Sequence, residues 1–190
     1  MKLPILAYGD PILKRKCEEI DADYPKLGEL IDNMFHTMYA AHGVGLAAPQ
    51  IGLSIRLFVA DASPFAEDDD QLKDFKKVFI NAWITEEDGE KWMFNEGCLS
   101  IPDVREDVSR PPRIRIQYVD ENWVEHDEVY EGLAARIIQH EYDHIEGKLF
   151  IEKLSPLRKA MLKGKLDAIT KGNVKTDYKM KFPVRKHRVR

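Results

Sequence analysis

Leu27, Leu30, Ile31, Met34, Phe35 and Met38 recur every three or four residues, and Gly43 follows them. Side chains three and four apart share one helix face, so the spacing predicts an amphipathic helix stopped by Gly43. Short β-type runs follow over residues 55–60, 78–85, 114–119 and 123–130. Asp120-Glu121-Asn122 separates the last two, which read as a hairpin. Residues 61–77, with Glu67-Asp68-Asp69-Asp70, read as a solvated excursion, partly helical around Leu72 and Phe75. A second helix is expected over 133–146, ended by Gly147, and a third from Ser155-Pro156 to about Thr170. Beyond Gly172 the chain is polar, basic and Pro-interrupted, and is expected to fray or lie on the surface. Three helices among irregular short strands, without βαβ alternation, predict an α+β fold.

The 190 residues suit one domain, and 44% hydrophobic residues supply a core without covalent staples. Cys17 and Cys98 are too few for a disulfide framework and read as buried or metal-bound thiols in a reducing compartment. No apolar run approaches the roughly 18–20 residues that span a bilayer. The first residues lack the apolar core and cleavage site of a secretory signal, so a cytoplasmic protein without a membrane partner is expected. Charge changes this picture. The net −4 divides into −15 over residues 1–152 and +11 over 153–190. We expect one catalytic domain over 1–170 and a basic extension over 171–190, partly disordered, the asymmetry hinting at a polyanionic partner.

His140-Glu141-Tyr142-Asp143-His144 carries the chemistry. Two histidines four apart on a helix lie one turn apart on one face and can reach a single metal ion. The glutamate between them is placed to act as general base toward a metal-bound water. Leu133 and Ile137 continue the histidine stripe, so the pair is expected on the buried face, with Arg136 pointing outward. Two protease templates fail at the third ligand. The metzincin pattern meets Phe150 where it needs histidine, and no glutamate follows Glu152 to complete a thermolysin-like set. Cys98 is the better candidate, because a thiolate and two imidazoles leave a tetrahedral position open, as catalytic sites require. Gly97 before it permits close backbone approach, and Pro102 fixes the loop. Cys17 reads as a small buried hydrophobe. Zinc is the usual ion for such donors, and Fe(II) accepts the same set.

GVGLAAPQ (43–50), EGCLSIP (96–102) and QHEYDH (139–144) together resemble, in the same order, the three motifs of the peptide deformylases. The likeness spans residues 1–170, and the helix after Ser155-Pro156-Leu157 is similar to that of bacterial forms ending in a C-terminal helix. It implies removal of the formyl group from the N-terminal formylmethionine of nascent polypeptides, with release of formate. It also implies short antiparallel sheets around a central metal-binding helix, flanked by the N-terminal amphipathic and C-terminal helices. By the resemblance Cys98, His140 and His144 hold one divalent ion per chain, with Fe(II) favoured and Zn(II), Ni(II) or Co(II) able to replace it. Glu141 matches the catalytic acid/base, Gln50 and Leu99 the oxyanion site, and Arg105 an arginine near the substrate backbone.

Gly43, Val44 and Gly45, with Gly97, are expected along an extended substrate, and Val44, Leu133 and Ile137 around its Met side chain. Asp143 is expected to be structural, with Arg110 its partner. The basic tail suggests ribosome affinity. An endopeptidase using the same helix, or a non-catalytic ribosome-associated metal-binding protein, remain the alternative readings.

Overall fold

The computed structural model describes residues 1–67 and 69–183. Among them are three α-helices: α1 (Leu27–Ala40), α2 (Gly132–Ile145) and α3 (Pro156–Thr170). The strands are β1 (Ile5–Leu6), β2 (Gly45–Ala47), β3 (Leu57–Asp61), β4 (Lys76–Asp88), β5 (Trp92–Cys98), β6 (Ile101–Arg110), β7 (Arg113–Val119), β8 (Glu125–Glu131) and β9 (Met180–Lys181). Five form an antiparallel sheet in the order β2-β3-β4-β7-β8, β5 and β6 form a separate hairpin, and β1 pairs with β9. The expected mixture of helices and short sheets is present. The β1–β9 pair is parallel, so the sheets are not all antiparallel.

Strand alternation explains how the large sheet is buried on both sides. Phe58 and Ala60 of β3 face one cluster, in which Ala135, Ile137, Ile138 and Ile145 of α2 pack against Phe79, Ile114 and Ile116. Leu57 and Val59 face the other, filled by Ile31, Met34, Phe35 and Met38 of α1. α2 is thereby held against the sheet along its whole length. A third cluster packs Leu162, Leu166 and Ile169 of α3 against Ile101, Val104 and Val108 of β6. The Ser155 side chain caps α3, accepting from the Arg158 N–H, and Gly147 (φ 72°) stands just beyond α2 as expected.

Several expectations are corrected. α1 is ended by His42, which takes the left-handed conformation (φ 57°); Gly43 instead donates its N–H to the Met38 carbonyl. The 61–77 excursion is partly helical, with 3₁₀ turns at Ser63–Phe65 and Asp70–Leu72, but Leu72 and Phe75 are buried in the cluster that α2 packs on, so its interior side is not solvated. The β5–β6 hairpin is not apparent in the sequence because its buried face is partly charged: exposed Asp103, Arg105, Asp107 and Ser109 alternate with buried Val104, Glu106, Val108 and Arg110. The β7–β8 turn is longer than expected, with Asp120 accepting from the Asn122 and Val124 N–H groups and Trp123 in the turn. The segment after Gly172 does not simply fray. It returns across the molecule, packs Val174, Met180 and Phe182 on the third cluster, and adds β9 beside β1. Any disorder of residues 184–190 lies outside the described residues.

Candidate metal centre

α2 presents His140 and His144 one turn apart toward the end of β5, where Cys98 stands before the two-residue turn Leu99-Ser100. The hairpin register skips here: Gly97 pairs with Arg105, but Cys98 pairs with Ile101. The extra residues form a bulge in which Asp103 is left-handed (φ 59°), and such bulges re-aim a side chain. One donor atom from each of Cys98, His140 and His144 lies within 4.8 Å of the others, and Cys98 Sγ is 3.3 Å from His144 Nε2.

The centre is carried by Glu96, two residues before Cys98. Its carboxylate accepts from Arg110 Nε (2.7 Å) and Nη2 (2.9 Å), from Arg136 Nη1 (2.9 Å), and meets His140 Nδ1 at 2.8 Å. Arg110 also donates to Asp143 Oδ2 at 2.7 Å, the pairing expected. Arg136 is not directed outward. It is 2% exposed, and beyond Glu96 it donates to the Val108 and Trp92 carbonyls. Its position on α2 looked like a polar break in an apolar stripe, but a guanidinium with several donors can satisfy a buried carboxylate and two carbonyls together. Burial would raise Glu96, yet the His140 and Arg110 hydrogen bonds overcome it and hold the carboxyl far below the usual range.

With Nδ1 engaged by Glu96, His140 leaves Nε2 for other work, the orientation that metal-binding histidines generally require. Burial opposes a positive charge on His140, but Cys98 and Glu96 draw it up to about 10. The same negative surroundings favour a metal cation. His144, buried and beside His140, is held well below its ordinary value and stays neutral. A soft sulfur and two imidazoles are a donor set for zinc or iron, and the residues present fit such an ion.

Glu141 points into the same space. Its Oε2 is buried without a hydrogen-bond partner, and burial pushes the carboxyl up to about 7. Gly45 exists for this side chain: a Cβ there would sit 2.6 Å from Glu141 Cδ. Gln50 is fixed from behind. Its Oε1 accepts the Ala47 N–H at 2.9 Å, which turns Nε2 toward Ser100 Oγ (3.2 Å) and Cys98 Sγ (3.5 Å).

These groups open into a cleft of about 770 Å³ between β2 and β5. Gly43, Val44, Gly45, Gln50, Gly97, Cys98, Leu99, Arg105, Leu133, Ile137, His140 and Glu141 all line it, so the structure brings together nearly every expected residue; His144 lies beneath it. Arg105 folds over Gly97 and donates to the Asn95 side chain (2.8 Å) and carbonyl (2.7 Å). Phe65, Phe94 and the segment 175–178 also line the cleft and were not foreseen. Glu96 carried one signal, its place inside EGCLSIP; the tail carried none.

The polypeptide deformylase family profile matches residues 2–160. The chain belongs to this family. A peptide deformylase of Christiangramia forsetii is 61% identical over 190 residues, covering 96% of this chain and 97% of that one. The Salinibacter ruber peptide deformylase is 43% identical, covering 94% and 93%. A crystal structure of a Legionella pneumophila peptide deformylase, 37% identical, superposes with a TM-score of 0.79 over 91% of this chain and 98% of that one. Membership makes the chain a metal-dependent hydrolase that removes the N-terminal formyl group from nascent peptides. Among the described residues no helix is long and apolar enough to cross a membrane.

Removing one partner from a buried ion pair leaves the other charge stranded, at a cost of about 3–5 kcal/mol. Arg110→Ala is therefore expected to lose that much in urea denaturation. Arg115→Ala, which breaks exposed pairs, should move the urea midpoint far less. Equal losses would contradict the central place given to Glu96.

Proposed function

We propose that Cys98, His140 and His144 hold one divalent ion, with Fe(II) preferred and Zn(II), Ni(II) or Co(II) accepted, and that Glu141, Gln50 and Leu99 complete the deformylation site. The supporting observation is the convergence of one sulfur and two imidazole nitrogens within 4.8 Å beside an unpartnered buried carboxylate oxygen. When bound, the ion supplies Lewis acidity, polarising the formyl carbonyl and lowering a water's pKa toward about 7. Glu141 takes the proton from the attacking water and delivers it to the departing amine nitrogen. Gln50 Nε2 and the Leu99 N–H donate to the oxyanion, each such donor being worth roughly 2.7–4 kcal/mol where measured.

The substrate backbone lies extended along Gly43, Val44 and Gly45, where the chain enters the β2 edge, with Gly97 and Arg105 opposite, adding a strand in the cleft. Val44, Leu133 and Ile137 surround its Met side chain, to which the cleft adds Phe65 and Phe94. A reducing cytoplasm suits the Cys98 thiolate. The internal-peptidase reading lacks a third protease ligand, and the non-catalytic reading leaves the buried Glu141 without a task.

α3 also presents Leu157 and Met161, 71% and 63% exposed, among Lys159, Lys163 and Lys165. The lysines of this helix and the basic tail give the chain salt-sensitive affinity for the polyanionic ribosome. The Lys159→Glu/Lys163→Glu variant should lose cosedimentation at low salt while keeping activity on short peptides. Unchanged cosedimentation removes the idea.

Formate release from formyl-Met-Ala-Ser under anaerobic conditions tests the main reading. Glu141→Ala should retain the metal and lose activity by at least about 10²-fold, the lower end of what general acid–base catalysis contributes. An active Glu141→Ala enzyme would refute the role. Iron-loaded protein is expected to outpace zinc-loaded protein, and equal turnover would sink the iron preference.

A further inference from the structure

The returning C-terminal segment is built into the catalytic cleft, at a specific atom. Lys175, Thr176, Asp177 and Tyr178 line the cleft. The Tyr178 hydroxyl donates to the Leu99 carbonyl oxygen at 2.8 Å. Leu99 is the first residue of the two-residue turn that follows Cys98. The next carbonyl, of Ser100, accepts the Tyr8 N–H at 2.8 Å, and the Ser100 hydroxyl accepts from Gln50. On the other side, Gly43 lets the Leu99 side chain approach so closely that a Cβ would sit 2.8 Å from Leu99 Cδ1.

The Tyr178 contact is itself fixed from both ends. Thr176 Oγ1 donates to the Tyr178 carbonyl at 2.8 Å. Two residues on, β9 is tied to β1 through the Ile5 N–H to the Lys179 carbonyl and the Ala7 N–H to the Lys181 carbonyl, both 2.9 Å. His42, beside Gly43, meets Asp177 at 3.3 Å across the cleft mouth. The Tyr178 ring packs in the same cluster as Leu99. Burial keeps its hydroxyl protonated far above the ordinary phenol range, so it remains a donor.

We propose that Tyr178 is a positioning residue for deformylation: by holding the Leu99 carbonyl it fixes one side of the Leu99 Cα, so that the N–H on the other side, the backbone donor of the oxyanion site, is aimed before substrate arrives. The inference rests on the assignment of the Leu99 N–H given above. The register is irregular beside this turn, and a donor aimed at a developing charge contributes only if its orientation is set in advance. Tyr178 supplies that restraint without touching the reacting atoms. The segment 175–178 is thereby part of the active site.

The test compares Tyr178→Phe, Thr176→Val, Gln50→Ala and the Tyr178→Phe/Gln50→Ala double variant of the full chain, all with metal content and melting temperature measured. Tyr178→Phe keeps the ring and removes one hydroxyl. It should lower kcat on formyl-Met-Ala-Ser about tenfold with KM and metal content nearly unchanged, the signature of an interaction made in the transition state. Thr176→Val, which loosens the same residue, should lower kcat two- to fivefold. In the double variant the losses should not multiply, because both act on one oxyanion. In metal-free protein, Tyr178→Phe should speed deuterium uptake by a peptide spanning residues 97–101. If Gln50→Ala loses kcat but neither Tyr178→Phe nor Thr176→Val does, the positioning role fails and the oxyanion reading stands. If Gln50→Ala also retains full kcat, the oxyanion reading fails first. A fall in melting temperature with unchanged kcat, or losses in kcat that multiply fully in the double variant, overturns the proposal.

Discussion

A carboxylate with almost no solvent around it needs several donors at once, and Glu96 has them from three directions. Arg110 reaches it from the end of β6, Arg136 from the middle of α2, and His140 from one turn further along that helix. Because these partners sit on different elements, the single carboxylate fastens the hairpin carrying Cys98 to the helix carrying both histidines. Buried ion pairs contribute little net stability against a well-packed apolar alternative, so the cluster is better understood as a device for specificity. It admits one relative placement of α2 and the β5–β6 hairpin, and the three donors meet only in that placement.

The division of labour around this junction follows from what each group can still accept. Glu96 spends its lone pairs on structure and on the orientation of His140. Glu141, one residue along, is left without a partner at Oε2 and with its carboxyl near neutrality. Glu96 on β5 and Glu141 on α2 thus have opposite electrostatic circumstances: one ringed by cationic donors, the other buried against a glycine. Environment, rather than residue type, separates a structural carboxylate from a reactive one.

Much of this was legible in the chain because the relevant constraints are local. Helical spacing places His140 beside His144 whatever the tertiary fold, and Ser155-Pro156 starts a helix by its own chemistry. Residues whose roles depend on distant partners were harder to read. Arg136 was expected in solvent because helical periodicity records polarity, and cannot tell a charge facing water from one facing a carboxylate forty residues away. Leu72 and Phe75 marked the partly helical stretch, but their acidic neighbours concealed that both side chains enter the core. The β5–β6 hairpin was hidden because its inner face includes Glu106 and Arg110, so it lacks clean alternation of apolar and polar positions. The tail looked unstructured because two residues of strand, paired in parallel with the opposite end of the chain, leave no periodic trace.

That parallel pairing also has a temporal meaning. The Leu99-Ser100 turn is braced by Tyr8 and by Tyr178, residues separated by nearly the whole chain. During synthesis the helices and the large sheet can form as their residues emerge, since most of their pairings are between neighbours in sequence. The brace at Leu99 cannot, because Tyr178 is made after every other group in the cleft. An enzyme that works on newborn chains is thus itself finished late, its last restraint arriving when the strand beside Ile5 and Leu6 is laid down.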